Sequence, residues 1–336
     1  MKFAFIIDSC LVKSYYIKDG KSYAYENDEI YTNHNSLSAD SMVGMWNYPY
    51  IFDGCFLNWV EWGDNLPDYD LELIIVAIEK DFKNYNVEKL RKKYPNAVII
   101  GMVKEIFLGN VTEFGPTQDV NSEKHKNRTK FFNECDGVFQ CFPDLESSPL
   151  SYLQEEINKP IEYLPFPVDV DYMYDNYYGD KINGVYFYLP HSLGRRKDTY
   201  EFSKHITDKY KLPLNTKELI AGKSYDYMSL HDFVSLWSQY SFHINLDPAS
   251  WFPGSQAVQV ATTGTIQVGG LNDSHRILYP QLATNDLEIL ETEVDKIISD
   301  FDYRVKIINY AYENVQKYYS FDTVRQSVEK MIRRIK

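Results

Sequence analysis

The chain alternates short apolar runs with amphipathic stretches, and this alternation constrains it to an α/β fold built on parallel sheets. In the first half, Lys2–Ile7, Leu71–Ile78, Ala97–Val103 and Gly137–Phe142 read as strands, the second apolar enough to be covered on both faces. Val87–Tyr94 reads as a helix with Val87 and Leu90 inward and Lys89, Arg91 and Lys92 outward, ended by Pro95. Ser122 can cap a helix that runs to about Glu134, and Pro149–Ile157 reads as another. In the second half, Gly184–Leu189, Ser241–Leu246 and Thr265–Gly270 read as strands. The helices there are Asp198–Tyr210, Ser229–Tyr240 and Ser255–Thr263, the last stopped by Gly264. Leu287–Ser299, Tyr303–Tyr318 and Asp322–Ile335 close the chain as helices. Between the halves, Pro165 and Pro167 stiffen a connector over about Leu164–Lys181.

The length of 336 residues fits two such domains. A composition of 44% hydrophobic and 25% charged residues is that of a folded globular protein. No apolar run approaches the ~18–20 residues of a membrane helix. MKFAFIIDSC, at the N-terminus, breaks at Asp8 and reads as a buried first strand rather than a secretory signal. Cys10, Cys55, Cys135 and Cys141 form no CxxC pair, so reduced thiols and a cytoplasmic location are expected, with no structural zinc. A net charge of −13 argues against wholesale wrapping of nucleic acid, though it leaves room for a local basic groove. The 29 tyrosines suit stacking on sugars or bases and suit core packing equally well.

Two stretches carry the chemistry. His243–Gly270 reads strand, loop, helix, Gly-Thr turn, strand, with Pro253, Gly254 and Ser255 at the helix start. Such a helix terminus offers unpaired N–H groups and the positive dipole end, so it can hold a phosphate, and Gly254 lets the backbone come close. Any βαβ unit also needs a turn of this kind. The second stretch is Tyr188–Tyr200, where Gly194, Arg195, Arg196 and Lys197 lie between a strand and a helix. Three cations at a strand's C-terminal end can clamp a diphosphate, the arginines by bidentate contacts.

These residues resemble the retaining glycosyltransferases of the GT-B fold that use nucleotide-diphosphate sugars. The connector Tyr163–Asp171 (YLPFPVDVD) is similar to that family's interdomain segment, and the Arg-Arg-Lys loop is similar to its donor-phosphate loop. Gly254–Val268 (GSQAVQVATTGTIQV) is similar to its glycine loop, helix and Gly-Thr-Pro turn. The resemblance implies two Rossmann-like domains facing across a cleft: residues 1–164 as the acceptor domain and 172–319 as the donor domain. The helix at about 320–336 would pack back on the first. It implies donor binding by Arg195, Arg196, Lys197, Gly254, Ser255 and Gln259, the last holding the ribose. The donor would be a nucleotide-diphosphate sugar, a UDP-sugar foremost, with no obligatory metal. Trp251 and Gln259 stand where the family carries two glutamates, and Ser192 stands for a family arginine. These departures mark a divergent branch, of the type phages use to modify DNA.

Lys104 and Glu105 end a strand that faces the expected cleft. Glu105 can deprotonate an acceptor hydroxyl and Lys104 can neutralise a phosphate; Asp8, ending the first strand, is a second candidate base. Glu105 reads equally as a surface carboxylate or a helix cap, and for Asp8 that plainer reading is the stronger one. Asp169 and Asp171 match a metal-binding DxD pattern, but they follow two prolines in a connector and read as a solvated linker. Lys126, Arg128 and Lys130 form a basic patch fit for a phosphate-bearing acceptor, DNA included. A solvated helix face accounts for them as well. The expected acceptor is hydroxymethylated pyrimidine in DNA or a cell-surface glycan or protein. A non-catalytic nucleotide- or sugar-binding protein on the same fold is the alternative.

Overall fold

The computed structural model describes residues 1–7, 13–25, 47–59, 66–77, 86–103, 111–112, 115–116, 123–141, 155–190, 197–219, 230–246 and 255–336. They form two compact units. The first unit takes the described residues up to Phe166 together with Phe321–Lys336, and the second takes Pro167–Ser320.

The first unit contains β1 (Phe3–Ile7), β2 (Tyr15–Lys18), β3 (Lys21–Ala24), α1 (Tyr48–Ile51), β4 (Cys55–Asn58) and β5 (Leu73–Ala77). It continues with α2 (Val87–Lys93), β6 (Val98–Val103), the short ribbon β7 (Val111–Thr112) and β8 (Gly115–Pro116), α3 (Glu123–Glu134), β9 (Gly137–Gln140) and β10 (Ile161–Tyr163). Eight strands join in the order β10-β9-β6-β5-β1-β4-β2-β3. The run from β10 to β4 is parallel throughout, whereas β2 pairs antiparallel with both β3 and β4. Every residue of β1, β5 and β6 is buried, as a parallel sheet covered on both faces requires. Helix α2 forms as its periodicity predicts: Val87 and Leu90 are buried, and Asn86 caps it by accepting from Lys89 N at 3.1 Å.

The β2–β3 hairpin is an addition to the sequence reading. Asp19 and Gly20 sit at φ 51° and 71°, the paired positive φ of a two-residue I′ turn. The C-terminal helix Phe321–Ile335 also belongs to this unit, burying Val324, Val328 and Met331. Arg325 Nε donates to Ile51 O at 2.9 Å, and Arg334 pairs with Glu162 at 2.7 Å.

The second unit contains α4 (Val170–Tyr177), β11 (Ile182–Pro190), α5 (Lys197–Tyr210), β12 (Leu214–Leu219), α6 (Leu230–Ser238) and β13 (Tyr240–Ile244). It ends with α7 (Ser255–Thr262), β14 (Ile266–Val268), α8 (Asp273–Leu278), α9 (Leu287–Ser299) and α10 (Phe301–Tyr319); the C-terminal helix of the first unit is α11. Its four strands run parallel in the order β12-β11-β13-β14. Gly264, at φ 75°, ends α7 as expected.

Two expectations are corrected here. The stretch around residues 164–181 is not merely a linker. Leu164, Phe166 and Val168 are buried, and α4 forms because Val170, Met173 and Tyr177 bury at i, i+3 and i+7. Asp169 caps that helix by accepting from Tyr172 N at 3.0 Å, and it is exposed as expected. Strand β12 is likewise absent from the sequence reading, because as an edge strand of mixed polarity it has no alternating apolar face to reveal it. Of the predicted Pro149–Ile157 helix, 149–154 lie outside the described residues. The three described cysteines, Cys55, Cys135 and Cys141, are buried and not disulfide-bonded. No described helix is long and apolar enough to cross a membrane.

Candidate functional site at the carboxyl edge of the second sheet

In the second unit, β11 is flanked by β12 on one side and β13 on the other, so the chain reverses its direction of sheet-building between β11 and β13. In open parallel sheets the crevice outside the carboxyl ends of two such strands is where ligands bind. The connections leaving that edge are residues 191–196 after β11 and 245–254 after β13. They contain Arg195, Arg196 and Gly254, all outside the described residues. Helices α5 and α7 begin immediately beyond them, at Lys197 and Ser255. The amino ends of their dipoles bring positive potential to this edge. Lys197 is exposed and sits 3.6 Å from Glu201 on the next turn, a solvent-screened pair of little energetic weight.

Gln259 lies in α7 with 3% exposure, on the buried side of the helix. Gln256, half-buried in the first turn, has the more open position. It is held by a chain of hydrogen bonds that the sequence reading did not single out. Asn245 Nδ2 donates to Gln256 Oε1 at 3.2 Å, and Gln256 Nε2 donates to His243 Nε2 at 3.1 Å. The Nδ1–H of His243 in turn donates to Gln267 Oε1 at 3.1 Å. With Gln267 Oε1 accepting and Gln256 Nε2 donating, the chain of bonds matches the Nδ1–H tautomer of the imidazole. Three of the four residues, His243, Asn245 and Gln267, are buried. Buried polar groups of this kind are costly unless paired, so the chain of bonds fixes where α7 starts relative to β13 and β14.

Beside it, the turn after β14 is shaped by Gly269 and Gly270, at φ 83° and 100°. Gly270 N donates to Asn285 Oδ1 at 3.0 Å, and a Cβ on Gly270 would collide with the His275 ring. His275 is 1% exposed, and neither ring nitrogen has a hydrogen-bond partner among the described residues. Burial, with a smaller contribution from nearby His243, pushes its pKa down to about 3. Asp273, one turn N-terminal to Arg276, is pushed up to about 6 by burial against the pull of that arginine.

In the first unit the same rule points to the carboxyl ends of β1 and β5, where sheet-building also reverses. Asp8 follows β1 in sequence, and Lys104 and Glu105 follow β6; all three lie outside the described residues. Helix α3 carries the basic patch, and the structure separates its members. Lys126 and Lys130 are exposed on one face, whereas Arg128 turns inward with 2% exposure. Among the described residues no group of three His, Cys, Asp or Glu side chains is placed to hold a metal.

No protein-family model matches the chain, and no curated protein matches it in sequence. Solved structures do match its fold. An α-glucosyltransferase in complex with UDP and a 13-mer DNA containing an HMU base aligns with a TM-score of 0.57 at 10% identity, covering 98% of this chain and 99% of that one. The Anabaena protein HepE in complex with UDP aligns with a TM-score of 0.57 at 10% identity, over 99% of this chain and 100% of that one. The N-terminal domain of a Candida albicans trehalose-6-phosphate phosphatase aligns with a TM-score of 0.53 at 11% identity, over 78% and 70% of the two chains. The fold is thus the α/β fold of the GT-B glycosyltransferases, shared essentially end to end with two structures that contain UDP.

Proposed function

We propose that the protein is a glycosyltransferase that moves a sugar from a UDP-type nucleotide-diphosphate donor to an acceptor hydroxyl. The observation that carries this reading is the second unit's carboxyl edge: the Arg195–Lys197 segment and the amino end of α7 follow the two strands at which sheet-building reverses. The end-to-end likeness to UDP-containing structures supports it.

Arg195, Arg196 and Lys197, with the N–H groups at Gly254 and Ser255, would stabilise the leaving diphosphate as its charge develops. This electrostatic role needs no metal. Gln259 would hold the ribose hydroxyls, which requires that its buried amide become accessible when donor binds. On the first unit, Glu105 is the leading general base, with Asp8 as the second candidate and Lys104 as a phosphate-neutralising group.

The acceptor we favour is DNA carrying a hydroxymethylated pyrimidine, on the exposed Lys126 and Lys130 and the fold shared with a DNA-bound glucosyltransferase. A glycan acceptor is the second reading, favoured by the net charge of −13. Arg128, being buried, belongs to the acceptor surface only if α3 rearranges.

A thermal-shift series with UDP, GDP, ADP, CMP and dTDP tests the donor half. A nucleotide at about 100 times its Kd adds about 2.7 kcal/mol of stability. UDP is expected to act and the others not. A flat series would favour a non-catalytic protein on the same fold. Transfer from UDP-glucose to hydroxymethyluracil DNA or to glycans then decides the acceptor.

A further inference from the structure

At the opposite, amino edge of the second unit's sheet, two cations lie beside the starts of β11 and β13, and no described carboxylate pairs with either. Lys181 immediately precedes β11, and its Nζ donates to the carbonyls that end two helices, Tyr177 O of α4 and Ser238 O of α6. Arg304, in the first turn of α10, donates from Nη2 to Ser241 Oγ at 2.6 Å and lies over the Phe242 ring at 5.9 Å. Ser241 Oγ itself donates to Ile182 O at 3.1 Å, which places the arginine beside the start of β11. Both cations are half-buried, and no described carboxylate comes within ion-pairing distance of either.

The nearby acids are otherwise engaged or turned to solvent. Asp300 caps α10 by accepting from Tyr303 N at 3.0 Å. Glu293 accepts from Tyr303 Oη at 2.6 Å and pairs with Lys296. Asp180 is exposed.

The two cations differ in how they are compensated. Lys181 sits against two negative helix ends, which offset part of its burial. Arg304 sits at the positive end of a 19-residue helix, where a cation is disfavoured. Burial, with a smaller contribution from the charge of Arg304, holds the Lys181 amine down to about 8, and burial lowers Arg304. Lys181 uses two of its three ammonium N–H groups on those carbonyls and keeps one, while Nε and Nη1 of Arg304 are not among the buried atoms without a partner and so reach solvent.

We propose that Arg304 and Lys181 form a phosphate-binding site, separate from the donor edge. The nine residues of β11 put the two edges on the order of 25 Å apart. A bidentate guanidinium contact with one ammonium N–H suits a tetrahedral oxyanion, and its charge relieves the repulsion between the two cations. The phosphate is supplied either by a small soluble phosphate or by a nucleic-acid backbone.

The test is a titration of the full chain with inorganic phosphate, followed by NMR of the Lys181 ε-methylene and the Arg304 Nε–H. Bound phosphate is expected to shift both signals and to raise the titration midpoint of Lys181. Arg304→Gln should weaken the phosphate response at Lys181 about tenfold, and Arg304→Lys should restore part of it. If Arg304→Gln fails to fold, Lys181→Met read at Arg304 Nε serves instead, with the same weakening expected. A short unmodified DNA duplex acting at lower concentration than inorganic phosphate would identify the backbone as the source; a response to inorganic phosphate alone would identify the small ion. An unresponsive wild-type signal, or equal responses in wild type and variant, would overturn the site. Because the signals are local to this edge, they report independently of whether UDP binds.

Discussion

Gln256, in the first turn of α7, donates its side-chain amide to Nε2 of His243 on β13 at 3.1 Å. The bond ties the start of the helix to the sheet that would present its N–H groups to a donor phosphate. Replacing Gln256 by Leu leaves the buried His243 acceptor and the Asn245 donor without that partner, which costs about 1–3 kcal/mol. The expected outcome is a lower urea midpoint together with weaker UDP binding, measured by calorimetry.

Gln256→Glu sharpens the same point. A carboxylate oxygen would face the His243 lone pair, and a protonated imidazole would turn that repulsion into a charge-assisted bond. Protons then bind the folded variant more tightly than its unfolded chain. Relative to wild type, the variant should gain stability as pH falls from 8 to 6 and lose it as pH rises. A pH series of denaturation midpoints that shows no such relative trend would remove the assignment of donor and acceptor along this chain of bonds.

His275 has the opposite sign. Burial holds its folded-state pKa at about 3, below the unfolded value of 6.5, so the unfolded chain binds the extra proton first. Its contribution is fully present above pH 6.5 and is lost as pH falls below it. At pH 5 the loss is about 2 kcal/mol. His275→Leu should therefore flatten the acid limb of the stability curve, measured as the wild-type-minus-variant difference between pH 7 and pH 5. Gly270→Ala should destabilise at every pH, since its positive φ and its close approach to the same ring leave no room for a methyl group.

The exposed pair Lys126 and Lys130 gives a charge test of the acceptor reading. Lys126→Glu with Lys130→Glu should weaken binding of hydroxymethylated DNA and reduce the slope of log affinity against log salt by about 1 for each phosphate no longer neutralised. UDP affinity should stay unchanged. If DNA affinity is also unchanged, α3 is a solvated face and the acceptor is held elsewhere.

How much of the fold and the site is legible in the sequence depends on what each residue signals locally. Strands such as β1 and β5 announce themselves because a strand buried on both faces must be apolar at nearly every position. Asp19 and Gly20 carry a hairpin signal, but the strands they join are short and their alternation is faint. Helix α4 is hidden by the prolines ahead of it, although Asp169 and the Val170–Met173–Tyr177 spacing mark its start. The His243–Gly270 stretch stands out, yet its polar chain does not. His243, Asn245 and Gln267 are polar positions within or at the end of strands, and only the register of β13 against β14 brings His243 opposite Gln267. The Lys181–Arg304 site is further from view, since residues more than a hundred positions apart come to one sheet edge only once the sheet and α10 have formed.

Turnover is the property that separates an enzyme from a binding protein on this fold, and Arg196 is the residue on which to measure it. If Arg196 steadies the leaving diphosphate, its contact strengthens as charge moves onto the β-phosphate. The loss should therefore fall on kcat more than on KM. Removing one such donor costs about 10²–10³ in rate. Arg196→Ala is thus expected to reduce sugar transfer by that factor while UDP still raises the melting temperature. Lys197→Ala, whose exposed ammonium is already shared with Glu201, should have a smaller effect. Equal and modest losses in both variants would mean that neither cation touches the reacting diphosphate, and the leaving-group role would pass to the N–H groups at the start of α7.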